Sequence, residues 1–140
     1  MIAHVDTFAR DHLPPKEQWP NFINLDRFEY PETLNCATPL LDNALSEGHG
    51  DRLAVIMSEG QWTYAELQAD ANRIARVLTE DLGLVPGNRV LLRAPNNYKM
   101  LACWFGVIKS GGIAVATMPL LRATELRTII NKSQVRLALC

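Results

Sequence analysis

Residues 89–140, RVLLRAPNNYKMLACWFGVIKSGGIAVATMPLLRATELRTIINKSQVRLALC, alternate short apolar runs with longer helical patterns. Arg89–Arg93 is the first run. Pro95-Asn96-Asn97 interrupts it, and a helical pattern follows through about Lys109. Gly111-Gly112 breaks that helix, Ile113–Thr117 forms a second strand, and Pro119 opens a loop. A helix over Ala123–Lys132 leads to a last strand, Val135–Cys140. Strands alternating with helices imply right-handed βαβ crossovers and a parallel sheet. The fold class is therefore α/β, a three-layer parallel-sheet arrangement.

Two features of this stretch predict that the chain is the front of a longer protein. The pattern over Tyr98–Ile108 is apolar nearly all round, so the helix must be covered on several sides, and 140 residues offer little to cover it. The last strand is apolar, whereas a terminus usually lies at the surface.

Upstream, Thr63-Tyr64-Ala65-Glu66 is a capping box, in which hydroxyl and carboxylate satisfy each other's orphan backbone donors. The helix it opens carries Leu67, Ala71, Ile74, Ala75, Leu78 and Leu82 on one face and ends at Gly83. Before it, Leu53–Met57 and Gln61–Thr63 flank a Ser58-Glu59-Gly60 turn and read as a hairpin. Thr38-Pro39 is the N-cap and first position of another helix. Residues 1–37 differ in kind: Pro14, Pro15, Pro20 and Pro31 are interleaved with Trp19, Phe22, Phe28 and Tyr30. Such prolines exclude long helices, and the aromatics argue against disorder. The expectation is an irregular arm over 1–37, with one short helix near Asp6–His12, packed on the surface of a body that begins at residue 38.

Composition narrows the partners. The chain is 48% hydrophobic and 21% charged with a formal charge of −1, which gives no electrostatic reason to expect nucleic acid or an anionic membrane. No apolar run approaches the ~18 residues of a membrane span, and residues 1–10 lack the apolar core of a signal peptide. Cys36, Cys103 and Cys140 match no zinc or redox spacing. A cytoplasmic setting is expected.

Catalytic motifs are missing. There is no G-x-G-x-x-G, no G-x-x-x-x-G-K-[ST] and no G-x-S-x-G, and the acidic residues read as caps or solvated faces. No catalytic or metal-ligating residue is assigned. Four features still admit a ligand reading beside a structural one. Pro95-Asn96-Asn97 follows a parallel strand, where open α/β sheets bind ligands, or else an asparagine caps the next helix. Gly111-Gly112 allows close backbone approach, or else stops a helix with positive φ. Arg122 and Arg127 can meet a phosphate or face solvent. Trp104 and Phe105 line a pocket or fill the core.

The motif series resembles the AMP-forming acyl-CoA synthetases, the adenylate-forming superfamily. Trp62-Thr63-Tyr64-Ala65-Glu66-Leu67 resembles their [FW]-T-Y-x-E-L opening. Val85-Pro86-Gly87-Asn88-Arg89-Val90 resembles the turn and strand G-[LV]-x-x-G-D-R-V. Pro95-Asn96, Lys109-Ser110-Gly111-Gly112 and Pro119 follow in the family's order, so the resemblance covers about residues 38–140. Within the arm, Asp6-Thr7-Phe8-Ala9-Arg10-Asp11-His12-Leu13-Pro14-Pro15, Gln18-Trp19-Pro20, Tyr30-Pro31 and Leu34-Asn35-Cys36-Ala37, with Met118–Arg122 further on, look like the aryl-CoA ligase branch, near 2-aminobenzoate–CoA and benzoate–CoA ligases.

This resemblance implies an acid–thiol ligase. A carboxylate attacks the α-phosphate of ATP to give an acyl-adenylate, and coenzyme A then displaces AMP; Mg²⁺ offsets phosphate charge. The implied cofactors are ATP, Mg²⁺ and coenzyme A, and the implied substrate is an aromatic carboxylate. The family's Ser/Thr/Gly-rich phosphate loop, ribose-binding aspartate and catalytic lysine are absent from these residues, so residues 38–140 are expected to be the first part of the AMP-binding domain and inactive alone. Only Arg122 is a candidate contact for a coenzyme A phosphate. Related ligases often carry a polar or basic residue directly after the loop proline, where this chain has Leu120. The alternatives are another adenylate-forming enzyme, including one that loads a carrier protein, and a complete small α/β binding module. An exposed sheet edge would make the isolated chain self-associate.

Overall fold

The computed structural model describes residues 3–24 and 27–140. In chain order its regular elements are helix α1 (Phe8–Asp11), a 3₁₀ turn (Lys16–Gln18), a π turn (Thr38–Asp42) running into α2 (Asn43–Ser46), strands β1 (Leu53–Met57) and β2 (Gly60–Thr63), and helix α3 (Tyr64–Arg76), extended by a π turn (Val77–Asp81). Strand β3 (Arg89–Arg93), helix α4 (Tyr98–Lys109), strand β4 (Ile113–Thr117), helix α5 (Ala123–Ser133) and strand β5 (Leu137–Leu139) follow.

The three later strands form a parallel sheet in the order β4-β3-β5. Arg89 to Arg93 pairs in register with Ile113 to Thr117 on one side, and Val90 to Leu92 with Leu137 to Leu139 on the other. The central strand is buried along its length from Arg89 to Leu92, as expected of a parallel strand covered on both faces. Its side chains alternate between those faces. Val90 and Leu92 pack with Leu78, Leu84 and Val107, beneath α4. Arg89 and Arg93 point to the opposite side, where the Arg89 Nε donates to the Ser133 carbonyl at the end of α5. The chain leaves β3 for β4 over one face and returns past β3 to β5 over the other, which right-handed crossovers require.

Helix α4 lies between two cores, which explains its all-round apolar pattern. Val107 packs on the sheet. Tyr98, Ala102 and Phe105 pack away from it, against Leu67 and Ala71 of α3, Val55 of β1, and Leu41. Helices α3 and α4 touch at Gly106, where an added Cβ would sit 2.5 Å from the Ile74 Cγ2. Met100, Leu101, Cys103 and Trp104 are left half-buried. Much of the cover for α4 therefore comes from the hairpin and α3 within these residues.

Several expectations need correction. Thr38 does not cap: Ala37 occupies the N-cap position, Thr38-Pro39 lies inside the π turn, and no side-chain cap bond forms. Leu82 is exposed rather than on the buried face, because the π turn at Val77–Asp81 shifts the helical phase. The last strand is shorter than Val135–Cys140, since Gln134 adopts a left-handed conformation (φ +49°) and Val135 bonds back to Ile130. The arm is held at its ends rather than along its length. Val5 and Asp6 N–H groups donate to the Pro86 carbonyl, 2.9 Å each, and the Asn35 Nδ2 donates to the Ile108 carbonyl at 2.8 Å. Between these anchors Trp19, Phe22, Phe28 and Tyr30 remain substantially exposed. Trp19 donates to the Pro14 carbonyl and Phe28 stacks on Tyr30, so these three make their contacts within the arm.

Candidate functional site

The carboxyl ends of β3, β4 and β5 lie on one rim of the sheet. The connection reverses direction around β3, so β3 and β5 flank the switch point at which open α/β sheets bind ligands. The residues delivered to this rim are Arg93, the Pro95-Asn96-Asn97 turn and the Met118–Arg122 loop.

Asn97 has a structural task. Its side-chain oxygen accepts from the Met100 N–H at 2.9 Å, capping α4. Asn96 is exposed and borders a cavity of about 450 Å³ with Met57, Asn97, Met100, Leu101 and Trp104. Trp104 thus belongs to a pocket wall as well as to the core, while Phe105 is core. Gly111 and Gly112 lie away from this rim. Gly111 has φ +76° and its carbonyl accepts from Gly87, and Gly112 bonds to Val107, so the pair ends α4 near the strands' amino ends.

Arg122 stands at the N-cap of α5, where its backbone N–H donates to Glu125 at 2.8 Å. Its guanidinium is exposed and makes no hydrogen bond or ion pair among the described residues. Arg127, also exposed, lies further along the same helix. The loop before Arg122 is tied to the sheet by Arg93, whose Nη2 donates to the carbonyls of Pro119 (2.6 Å) and Leu121 (3.1 Å). The sequence signal for Arg93 is a cation closing an apolar run, which by itself reads only as a strand end.

A neighbouring cavity of about 610 Å³ runs between the hairpin turn, α3 and the start of α4. Trp62 and Tyr98 stack beside it with centroids 4.2 Å apart. The Tyr98 hydroxyl donates to Asp70 at 2.7 Å, and Arg73 pairs with the same carboxylate. The hydroxyl, and then Arg73, hold the Asp70 carboxyl below its ordinary range. Burial first, then Asp70, pushes the Tyr98 phenol above its ordinary range. Burial also raises the Cys103 thiol, the opposite of what a nucleophilic thiolate needs. The cavity therefore presents an ionised carboxylate, a neutral phenol and a protonated thiol at neutral pH. No cluster of His, Cys, Asp and Glu among the described residues could hold a metal ion, and no described helix is long and apolar enough to cross a membrane.

A buried parallel strand, a capped apolar helix at its carboxyl end and a basic loop after the next strand are a scaffold with one open rim. Residues 42–140 match the model of a family described as AMP-binding enzyme. The chain belongs to this family. Among its relatives, the benzoate–CoA ligase of Thauera aromatica is 32% identical over 108 residues, covering 77% of this chain and 20% of that protein. Surfactin synthase subunit 1 of Bacillus subtilis is 36% identical over 94 residues, covering 67% of this chain and 3% of that protein. Among solved structures, the anthranilate CoA ligase AuaEII with anthranoyl-AMP superposes with a TM-score of 0.73 at 24% identity, covering 79% of this chain and 21% of that one. That likeness shows the fold. The chain spans about a fifth of the benzoate–CoA ligase it matches.

Proposed function

We infer that this chain is the N-terminal part of an AMP-forming aryl-CoA ligase that joins an aromatic carboxylate, 2-aminobenzoate or a benzoate-like acid, to coenzyme A through an acyl-adenylate. The observation that carries the reading is the match to a benzoate–CoA ligase over 108 residues. The arm sequence supports it, since Asp6 and Asn35, both in stretches that look like the aryl branch, are the residues that anchor the arm. In that enzyme residues 1–37 would be an arm and 38–140 the opening of the AMP-binding domain, in the cytoplasm.

ATP, Mg²⁺ and coenzyme A would be its cofactors. The described residues fit only one contact to them: the unpaired Arg122 guanidinium suits a phosphate of coenzyme A. The parts that would hold ATP and Mg²⁺ are not among these residues. ATP would supply the activating AMP group, and what this chain contributes is the sheet, the α4 wall and the placement of Arg122.

The second reading, an enzyme that loads an amino acid onto a carrier protein, is favoured by the surfactin synthase match at 36% identity. The two separate in one experiment. A polypeptide that continues this sequence is incubated with ATP, Mg²⁺, coenzyme A and a panel of benzoates, fatty acids and amino acids. The aryl reading expects benzoyl- or 2-aminobenzoyl-CoA by mass spectrometry. Amino-acid-dependent pyrophosphate exchange without any CoA thioester would replace it with the second.

A further inference from the structure

Arg93 ends the central strand with its side chain on the α5 side of the sheet. Its Nη2 bridges the carbonyls of Pro119 and Leu121, the two that flank Leu120. Its Nε is shut off from solvent and finds no acceptor among the described residues, and none of their carboxylates pairs with it. A buried donor left unmade costs free energy, and here the bridge to the loop is what offsets it. The two neighbouring cavities are lined by neither Arg93 nor the Met118–Arg122 loop, so the contact between Arg93 and the loop stands outside both. Leu120 meanwhile stands 80% exposed at the loop tip, so apolar packing does not hold the loop in place.

We propose that Arg93 is a positioning residue: it clamps the backbone on both sides of Leu120 and so fixes the Met118–Arg122 loop with the unpaired Arg122 guanidinium facing out at the rim. The clamp depends on the planar fork of an arginine, which a lysine ammonium reproduces in part. Its functional consequence rests on the reading of Arg122 as a phosphate contact, and the two are tested separately.

The clamp is tested on the 140-residue chain by trypsin, with Arg93→Gln and Arg93→Lys compared to wild type under conditions where circular dichroism shows all three folded. Cleavage after Arg122 should accelerate about tenfold in R93Q, as for the loss of one such hydrogen bond, and by less in R93K. Cleavage after the exposed Arg73 and Arg76 should not change. Equal acceleration at all sites, or none after Arg122, overturns the clamp. The consequence is tested in the ligase proposed to contain this chain. R93Q and Arg122→Gln should each raise the KM for coenzyme A several-fold, and R93Q should leave acid-dependent pyrophosphate exchange unchanged. If R122Q raises that KM and R93Q does not, the positioning role is refuted. If neither does, the phosphate reading of Arg122 fails with it, and the clamp is judged on trypsin alone.

Discussion

The Tyr98 hydroxyl donates to the Asp70 carboxylate at 2.7 Å, joining the first turn of α4 to the middle of α3. It is the polar link in an otherwise apolar contact between these helices, and it fixes their register. Tyr98 is buried and Asp70 part-exposed, so the bond is worth less than a fully buried charged pair. Tyr98→Phe should cost about 1 kcal/mol in urea unfolding. The pH dependence follows from the raised phenol. Its stabilisation is fully present below the ordinary tyrosine value of 10.0. It falls as pH rises above that, because the unfolded chain ionises first. Wild type should therefore lose stability above pH 10 more steeply than Y98F. Equal alkaline slopes would show that Tyr98 is not protected by this contact.

Gly106 lets α3 and α4 approach closely. A Cβ there would lie 2.5 Å from the Ile74 Cγ2 and 3.2 Å from the Ala71 carbonyl. Gly106→Ala should destabilise by about 1–3 kcal/mol. Ile74→Gly in the same chain removes both the Cγ2 and the Cβ, which an added Cβ would meet at 2.8 Å, so the double variant should be more stable than the sum of the single costs implies. Additive costs in a double-mutant cycle would place the strain elsewhere.

Gly87 has φ +93°, and a Cβ on it would meet the Asp6 carbonyl oxygen at 2.1 Å. Backbone cannot yield as a flexible side-chain end can. Gly87→Ala should release the arm from the turn, at about 1–3 kcal/mol if the fold otherwise holds. Asp6 also accepts from Phe8, Asn88 and Arg89, and the Arg89 guanidinium lies 4.5 Å from the Phe8 ring centroid. Trypsin cleavage after Arg10 should rise in G87A, while that after Arg73 should not.

Strands β4 and β5 are the edges of the sheet, and Ala138 of β5 is exposed. The isolated chain should self-associate through such an edge. Ala138→Lys should shift sedimentation towards monomer. A monomeric wild type at high concentration would refute this.

The parallel sheet was legible because β3 and the elements after it each carry a local signal: an apolar run, an asparagine cap, a glycine stop. The Thr63–Glu66 capping box was legible for the same reason, and the structure forms it with the Thr63 N–H 2.8 Å from the carboxylate. Thr38 misled because cap chemistry competes with the surrounding turn, which placed Ala37 at the start of the helix. The arm misled because aromatic content does not say what the aromatics will touch. The site was less legible than the fold. Arg122 could be named from its loop, but Arg93 acts through partners 26 and 28 residues away and Tyr98 meets Asp70 across 28, and pairings at such separations are set by packing.

The first assay to perform is ATP–pyrophosphate exchange with benzoate or 2-aminobenzoate, on the isolated 140 residues and on a polypeptide that continues them. If these residues are the scaffold of an adenylating enzyme, the isolated chain shows no exchange and the longer one shows exchange that depends on the acid. Acid-dependent exchange by the 140 residues alone would place a working adenylation centre inside this chain and overturn that assignment.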